Sequence, residues 1–172
     1  MTGAVEVVNH TRAAIDEEAV AALVEAVLEA EGAGGAEVGV TFVGERRMRA
    51  LNRKYRGKDE VTDVLSFPLE DVGESGQRAP EGREGRAGGA AGPAAGDAPP
   101  RLLGDVVVCA RQALRQARAA ALPPGVELAV LLVHGTLHLL GYDHETDVGA
   151  MALRQAQLLE TVDWEALVGA AH

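Results

Sequence analysis

Residues 134–144 read His-Gly-Thr-Leu-His-Leu-Leu-Gly-Tyr-Asp-His, and no other stretch restricts the possible folds so tightly. His134 and His138 are four residues apart, so on a helix their side chains share a face. Gly141 follows three residues later and can take the left-handed conformation that ends a helix. The chain can then turn back and bring His144 to the same point. Three imidazoles converging on one point leave one tetrahedral position open, which is how a catalytic zinc site is built. A structural site would fill that position with a protein ligand, usually Cys, and none lies nearby. The spacing matches the extended zinc-protease pattern H-E-x-x-H-x-x-G-x-x-H, with Gly135 where that pattern has its general-base Glu. The expectation is one zinc ion per chain on His134, His138 and His144, without a proteolytic base. Three unrelated histidines on and after a buried helix would be the bland alternative. Three of the chain's five histidines at ligand spacing fit that poorly.

A length of 172 residues suits one domain, and an apolar content of 47% with only 3% aromatics gives a core of Ala, Val and Leu. No apolar run reaches the length of a membrane span, and the start of the chain has no basic-then-apolar secretory pattern. The single Cys109 excludes an internal disulfide and suits a reducing cytoplasm; following Val106-Val107-Val108, it reads as a small buried apolar residue. The net charge of −10 argues at first against nucleic acid. The distribution of charge points the other way. Seven of the sixteen basic residues lie between Arg46 and Lys58: Arg46, Arg47, Arg49, Arg53, Lys54, Arg56 and Lys58. A local patch can bind phosphates on an acidic protein, because screening limits electrostatic reach to about 8 Å at physiological salt. On charge alone, a solvated helix face explains the same residues equally well.

Periodicity predicts strands over Val5–Asn9, Val38–Val43, Val64–Phe67 and Leu102–Cys109. Helices are expected over Asp16–Glu31, Glu45–Tyr55, Arg111–Ala121, Gly125–Leu140 and about Asp147–Val162. The fourth is apolar on nearly every face, as a helix in the middle of a domain should be. Residues 73–100 are rich in Gly, Ala and Pro with no bulky apolar side chain, and are expected to form a disordered insertion inside one domain spanning 1–172. Intermixed strands and helices give an α/β (α+β) layered domain.

Three segments carry a resemblance. They are the motif from His134 to His144, the stretch Leu51-Asn52-Arg53-Lys54-Tyr55-Arg56 with Thr62-Asp63-Val64-Leu65-Ser66-Phe67-Pro68, and Leu103-Gly104-Asp105. Together they resemble the YbeY family of bacterial zinc-dependent endoribonucleases needed for ribosomal RNA maturation. The resemblance covers nearly the whole chain except the 73–100 insertion. It implies a four-stranded mixed sheet with about five helices and a zincin-like metal helix. It also implies zinc on His134, His138 and His144, and a functional arginine at Arg56. Val61 departs from the Pro usual before Thr-Asp-Val-Leu-Ser-Phe-Pro, and the insertion is longer than usual; neither touches the metal motif.

The chemistry follows from those residue types. Zinc on three histidines acidifies a bound water toward neutrality, enough to attack a phosphodiester. A nearby arginine can hold the phosphate bidentately, and Arg56, at the end of the basic helix, is the candidate. Asp143 could orient an imidazole or cap the turn after Tyr142. Asp63 and Ser66 are candidates to line the cleft, Asp105 to fix a strand end, and Glu127 to complement a helix dipole. The leading expectation is a cytoplasmic endoribonuclease specific for single-stranded RNA, acting in ribosomal RNA maturation and ribosome quality control. Its partners would be ribosomal RNA and ribosomal or assembly proteins, with neither DNA nor membrane. The alternatives are a zinc metallopeptidase, and a non-catalytic ribosome assembly factor with a structural zinc.

Overall fold

The computed structural model describes residues 5–69, 101–143 and 149–168. Strand β1, Val5–Asn9, leads into helix α1, Glu17–Ala30, and strand β2, Glu37–Val43, pairs parallel with β1. Asp16 starts α1 by accepting the Ala19 amide at 3.0 Å, satisfying one of the donors a helix start leaves open. Helix α2, Glu45–Arg56, follows, then strand β3, Val64–Pro68. Strand β4, Leu102–Cys109, runs directly into helix α3, Ala110–Ala119. Helices α4, Pro124–Leu139, and α5, Ala150–Leu159, complete the larger elements, before one turn of 3₁₀ helix at Trp164–Leu167.

The sheet order is β1-β2-β4-β3. β4 lies parallel to β2, and β3 is an antiparallel edge strand against β4. The expected mixed four-stranded sheet with five α-helices is therefore the architecture among the described residues. The expected helix from about Asp147 to Val162 is shorter: its first part lies outside the described residues, and α5 ends at Leu159. The 3₁₀ turn has no periodic signal in four residues. The expected insertion at 73–100 also lies outside the described residues.

Strand alternation divides the core between the two faces of the sheet. Val38, Val40, Phe42, Val106 and Val108 point toward α1, α3, α4 and α5, forming the larger apolar cluster. Val43, Leu65, Val107 and Cys109 point the other way and are covered by Met48 of α2. Cys109 is fully buried, as its apolar neighbours suggested. Helix α4 lies centrally in the larger cluster. Ten of its sixteen residues are buried, including Thr136, whose hydroxyl donates to the Leu132 carbonyl at 2.7 Å. A mostly apolar helix packed on this many sides holds its few polar side chains in fixed places.

Candidate metal centre

His134 and His138 stand one turn apart on α4, both half-buried. Their Nε2 atoms are 3.1 Å apart and their rings meet edge to face, with centroids 4.6 Å apart. Each ring is held from its other nitrogen. His138 Nδ1 lies 3.0 Å from the Tyr142 carbonyl, which can only accept, so that nitrogen carries the proton. His134 Nδ1 lies 2.9 Å from Oε1 of Gln155 on α5, also an acceptor. With each proton on Nδ1, the two Nε2 atoms turn their lone pairs toward one spot. Two lone pairs facing each other repel; a cation between them turns the repulsion into two bonds. This donor set fits a borderline-soft divalent metal such as zinc.

The turn after α4 is built by its own residues. Gly141 has φ +106°, a conformation that strongly favours glycine. Its amide donates to the His138 carbonyl at 3.0 Å, and the Tyr142 amide reaches back to the Leu137 carbonyl at 3.1 Å. This pair of bonds is the Schellman termination of a helix. It aims the Tyr142 carbonyl back at His138. The Tyr142 hydroxyl donates to Glu31 at the end of α1, 2.8 Å away, and Arg154 of α5 pairs with the same carboxylate. Tyr142 is thus a packed residue under the turn. His144, the third expected ligand, lies outside the described residues; Asp143 is exposed. Among the described residues no group of three or more His, Cys, Asp or Glu side chains is arranged to hold a metal.

Gly135 faces the sheet. A Cβ there would lie 2.7 Å from Val106 Cγ1 and 3.2 Å from Ser66 Oγ. The helix therefore packs against β3 and β4 more closely than any side chain at 135 permits, and a general-base Glu has no room there. Ser66, a candidate for lining the cleft, instead donates to the Gly135 carbonyl at 3.2 Å and fastens β3 to α4.

Asp63 and Glu127 come together at the far end of α4. With its amide turned so that the nitrogen faces the two carboxylates, Gln116 bridges them, donating to Asp63 Oδ2 at 3.2 Å and to Glu127 Oε2 at 3.0 Å. Burial, then the Asp63 charge, pushes the Glu127 carboxyl above the usual glutamate range. Glu127 occupies the first turn of α4, as a dipole role requires. Asp105 lies inside β4, opposite Phe67 and Gly39, not at a strand end.

Arg56 is the last residue of α2 and is exposed. The basic cluster around it divides in two. Arg49 holds Asp59 through Nε at 2.9 Å, with Arg53 3.8 Å from the same carboxylate. Among the described residues, Arg46, Arg47, Lys54, Arg56 and Lys58 have no carboxylate partner. The sequence pattern does not single out Gln155, Glu31 or Arg154. Each meets the histidine turn only through tertiary packing, and no local signal marks them.

Comparison with known proteins gives a consistent picture. The model of the family described as Endoribonuclease YbeY matches residues 6–163. A protein named Endoribonuclease YbeY from Anaeromyxobacter sp. (strain Fw109-5) is 44% identical over 148 residues, covering 85% of this chain and 63% of the relative. One of the same name from Geobacillus kaustophilus (strain HTA426) is 48% identical over 113 residues, covering 66% of this chain and 63% of the relative. The chain thus spans less than two thirds of the length of these relatives. A solution structure of a Thermotoga maritima protein superposes with a TM-score of 0.58 at 23% identity, covering 98% of this chain and 99% of that one, and shares the fold.

Proposed function

This chain belongs to the YbeY family, and from that premise we propose that it is a metal-dependent endoribonuclease acting on single-stranded RNA, with ribosomal RNA as its substrate. The observation that supports this best is the pair of Nε2 atoms 3.1 Å apart, each ring fixed through Nδ1. His134, His138 and His144 would hold one zinc ion. Bound there, it would supply charge neutralisation at the phosphate and an acidified water. The chain's residues do the rest. Arg56 grips the scissile phosphate with its planar fork. Arg46, Arg47, Lys54 and Lys58, without carboxylate partners among the described residues, attract the RNA backbone. The whole chain, 1–172, acts as one domain in the cytoplasm, in ribosomal RNA maturation and quality control, beside ribosomal and assembly proteins. No helix among the described residues is long and apolar enough to cross a membrane.

The peptidase alternative fails on space, since Gly135 has Val106 where the base would have to start. The test is cleavage of a labelled single-stranded RNA by highly purified chain. Chelator should abolish it, zinc should restore it, and His138→Ala should lack it. Cleavage that survives both chelation and His138→Ala would refute the enzyme reading. Zinc retention without any cleavage would favour the assembly factor.

A further inference from the structure

We propose that Gln155 is the positioning residue of the metal centre: its side-chain carbonyl holds His134 in the tautomer that directs the Nε2 lone pair at the point shared with His138. This rests on reading the two histidines as metal ligands. His138 lies in the last turn of α4, and its Nδ1 finds an acceptor in the backbone of the turn that ends the helix, the Tyr142 carbonyl at 3.0 Å. His134 lies a full turn deeper. The backbone carbonyls around it are committed to the helix, so its ring needs an acceptor from another element. Gln155 of α5 supplies one at 2.9 Å.

Helix α5 is fixed in the register this bond needs. Arg154, the adjacent residue, pairs with Glu31, whose side chain is only 10% exposed. Arg154 also donates to the Ala30 carbonyl at 3.2 Å. The same Glu31 carboxylate accepts from the Tyr142 hydroxyl at 2.8 Å. One largely enclosed carboxylate therefore ties together the end of α1, the turn that orients His138 and the helix that carries Gln155. The result is two rings oriented by one connected set of bonds. Without the Gln155 carbonyl, the acceptor that favours a proton on His134 Nδ1 is gone, and whatever share of the rings carries the proton on Nε2 presents an N–H where the metal would bind. Outer hydrogen bonds to metal-ligating histidines are worth about 10–100-fold in metal affinity.

The test uses the full chain with Gln155→Leu and Gln155→Glu. Zinc affinity is measured by competition with a chromogenic chelator, and imidazole tautomers by long-range ¹H–¹⁵N spectra of the zinc-free protein. Gln155→Leu should weaken zinc binding by about 10–100-fold. It should mix the His134 tautomers, leave His138 unchanged and keep the far-ultraviolet circular dichroism of the parent. Gln155→Glu, which offers the same acceptor, should bind zinc at least as tightly as the parent. Parental zinc affinity and an unaltered His134 tautomer in Gln155→Leu would overturn the proposal. So would equal losses in both variants, the mark of a merely structural residue. A parent whose His134 carries its proton on Nε2 would overturn it regardless of the metal data. His134→Ala retaining zinc would instead refute the ligand reading on which it rests, while the tautomer spectra still report on Gln155.

Discussion

The two faces of the sheet are built on opposite plans. On one, α4 is surrounded by α1, α3, α5 and the sheet, and ten of its sixteen residues are buried. On the other, α2 lies alone among the described helices, with only Met48 and Asn52 buried and its charges in solvent. The first plan suits a site in which two nitrogens must stay 3.1 Å apart. Packing on all sides removes the freedom that would blur it. The second suits recognition of a flexible, repetitive polyanion, for which many weak interactions on long side chains suffice. Precision follows burial, and adaptability follows exposure.

The sharpest way to break this contrast is to remove one of the two paired histidines from the packed face. His134→Ala or His138→Ala should cost at least about 3 kcal/mol of transition-state stabilisation, on the order of 100-fold in rate. The same variants should lose the rise in melting temperature that added zinc gives the parent, because binding to the folded state alone stabilises it. Calorimetry with and without zinc checks this.

Next comes the packing that holds α4 on the sheet. Gly135→Ala places a methyl 2.7 Å from Val106 Cγ1, on a β-branched side chain that cannot swing away cheaply. Overpacking of this kind costs about 1–3 kcal/mol, read as a lower denaturant midpoint at unchanged slope. A neutral result would mean that the central helix floats, and that the rigidity argument is wrong.

On the exposed face the effects should be smaller and graded. Replacing Arg46, Arg47, Lys54 and Lys58 with Gln should flatten the salt dependence of RNA binding, by about 0.7 in logarithmic slope for each phosphate left without its cation. Arg49→Gln and Arg53→Gln should change it less, because Asp59 already engages both. Arg56→Lys sharpens the comparison. It keeps the charge but loses the fork, so RNA binding should hold while cleavage slows about tenfold. Equal effects on binding and rate across all these positions would make Arg56 one more phosphate-binding cation.

The smallest effect concerns Glu127, raised by burial and then by Asp63. A carboxyl raised in the folded state stabilises the fold below the ordinary glutamate value of 4.5, and that contribution is lost as pH climbs through the raised value. Glu127→Gln should therefore make the protein more stable than the parent at neutral pH, the difference shrinking to nothing in acid. Urea melts at several pH values would show it. A Glu127→Gln protein less stable at neutral pH would mean that the charge-assisted bond from Gln116 outweighs burial.

What could be read in advance divides along similar lines. The four strands and the ends of α1, α2 and α4 were legible to within a residue or two, because each is written locally: apolar alternation, Asp16 as a cap, Gly141 as a stop. The convergence of His134 and His138 was legible because helix geometry fixes it. The fit of Gly135 into the sheet was not, since the neighbours that demand it, Val106 and Ser66, lie on other elements. Sequence marked the missing Glu, and packing supplies the reason. The division of the basic cluster by Asp59 and the support of His134 by Gln155 were likewise hidden, being pairings between elements. Position in the first turn of α4 marks Glu127 as a dipole residue; its link to Asp63 through Gln116 needs three elements to meet.

The central claim is that His134 and His138 share one ion. Anomalous diffraction at the zinc edge, from crystals of the full chain grown with zinc, tests it most directly. One peak is expected about 2.0–2.1 Å from both Nε2 atoms, with His144 as the third protein ligand and a fourth position open to solvent. No peak between those nitrogens, or a zinc bound elsewhere with the two rings still 3.1 Å apart, would contradict it.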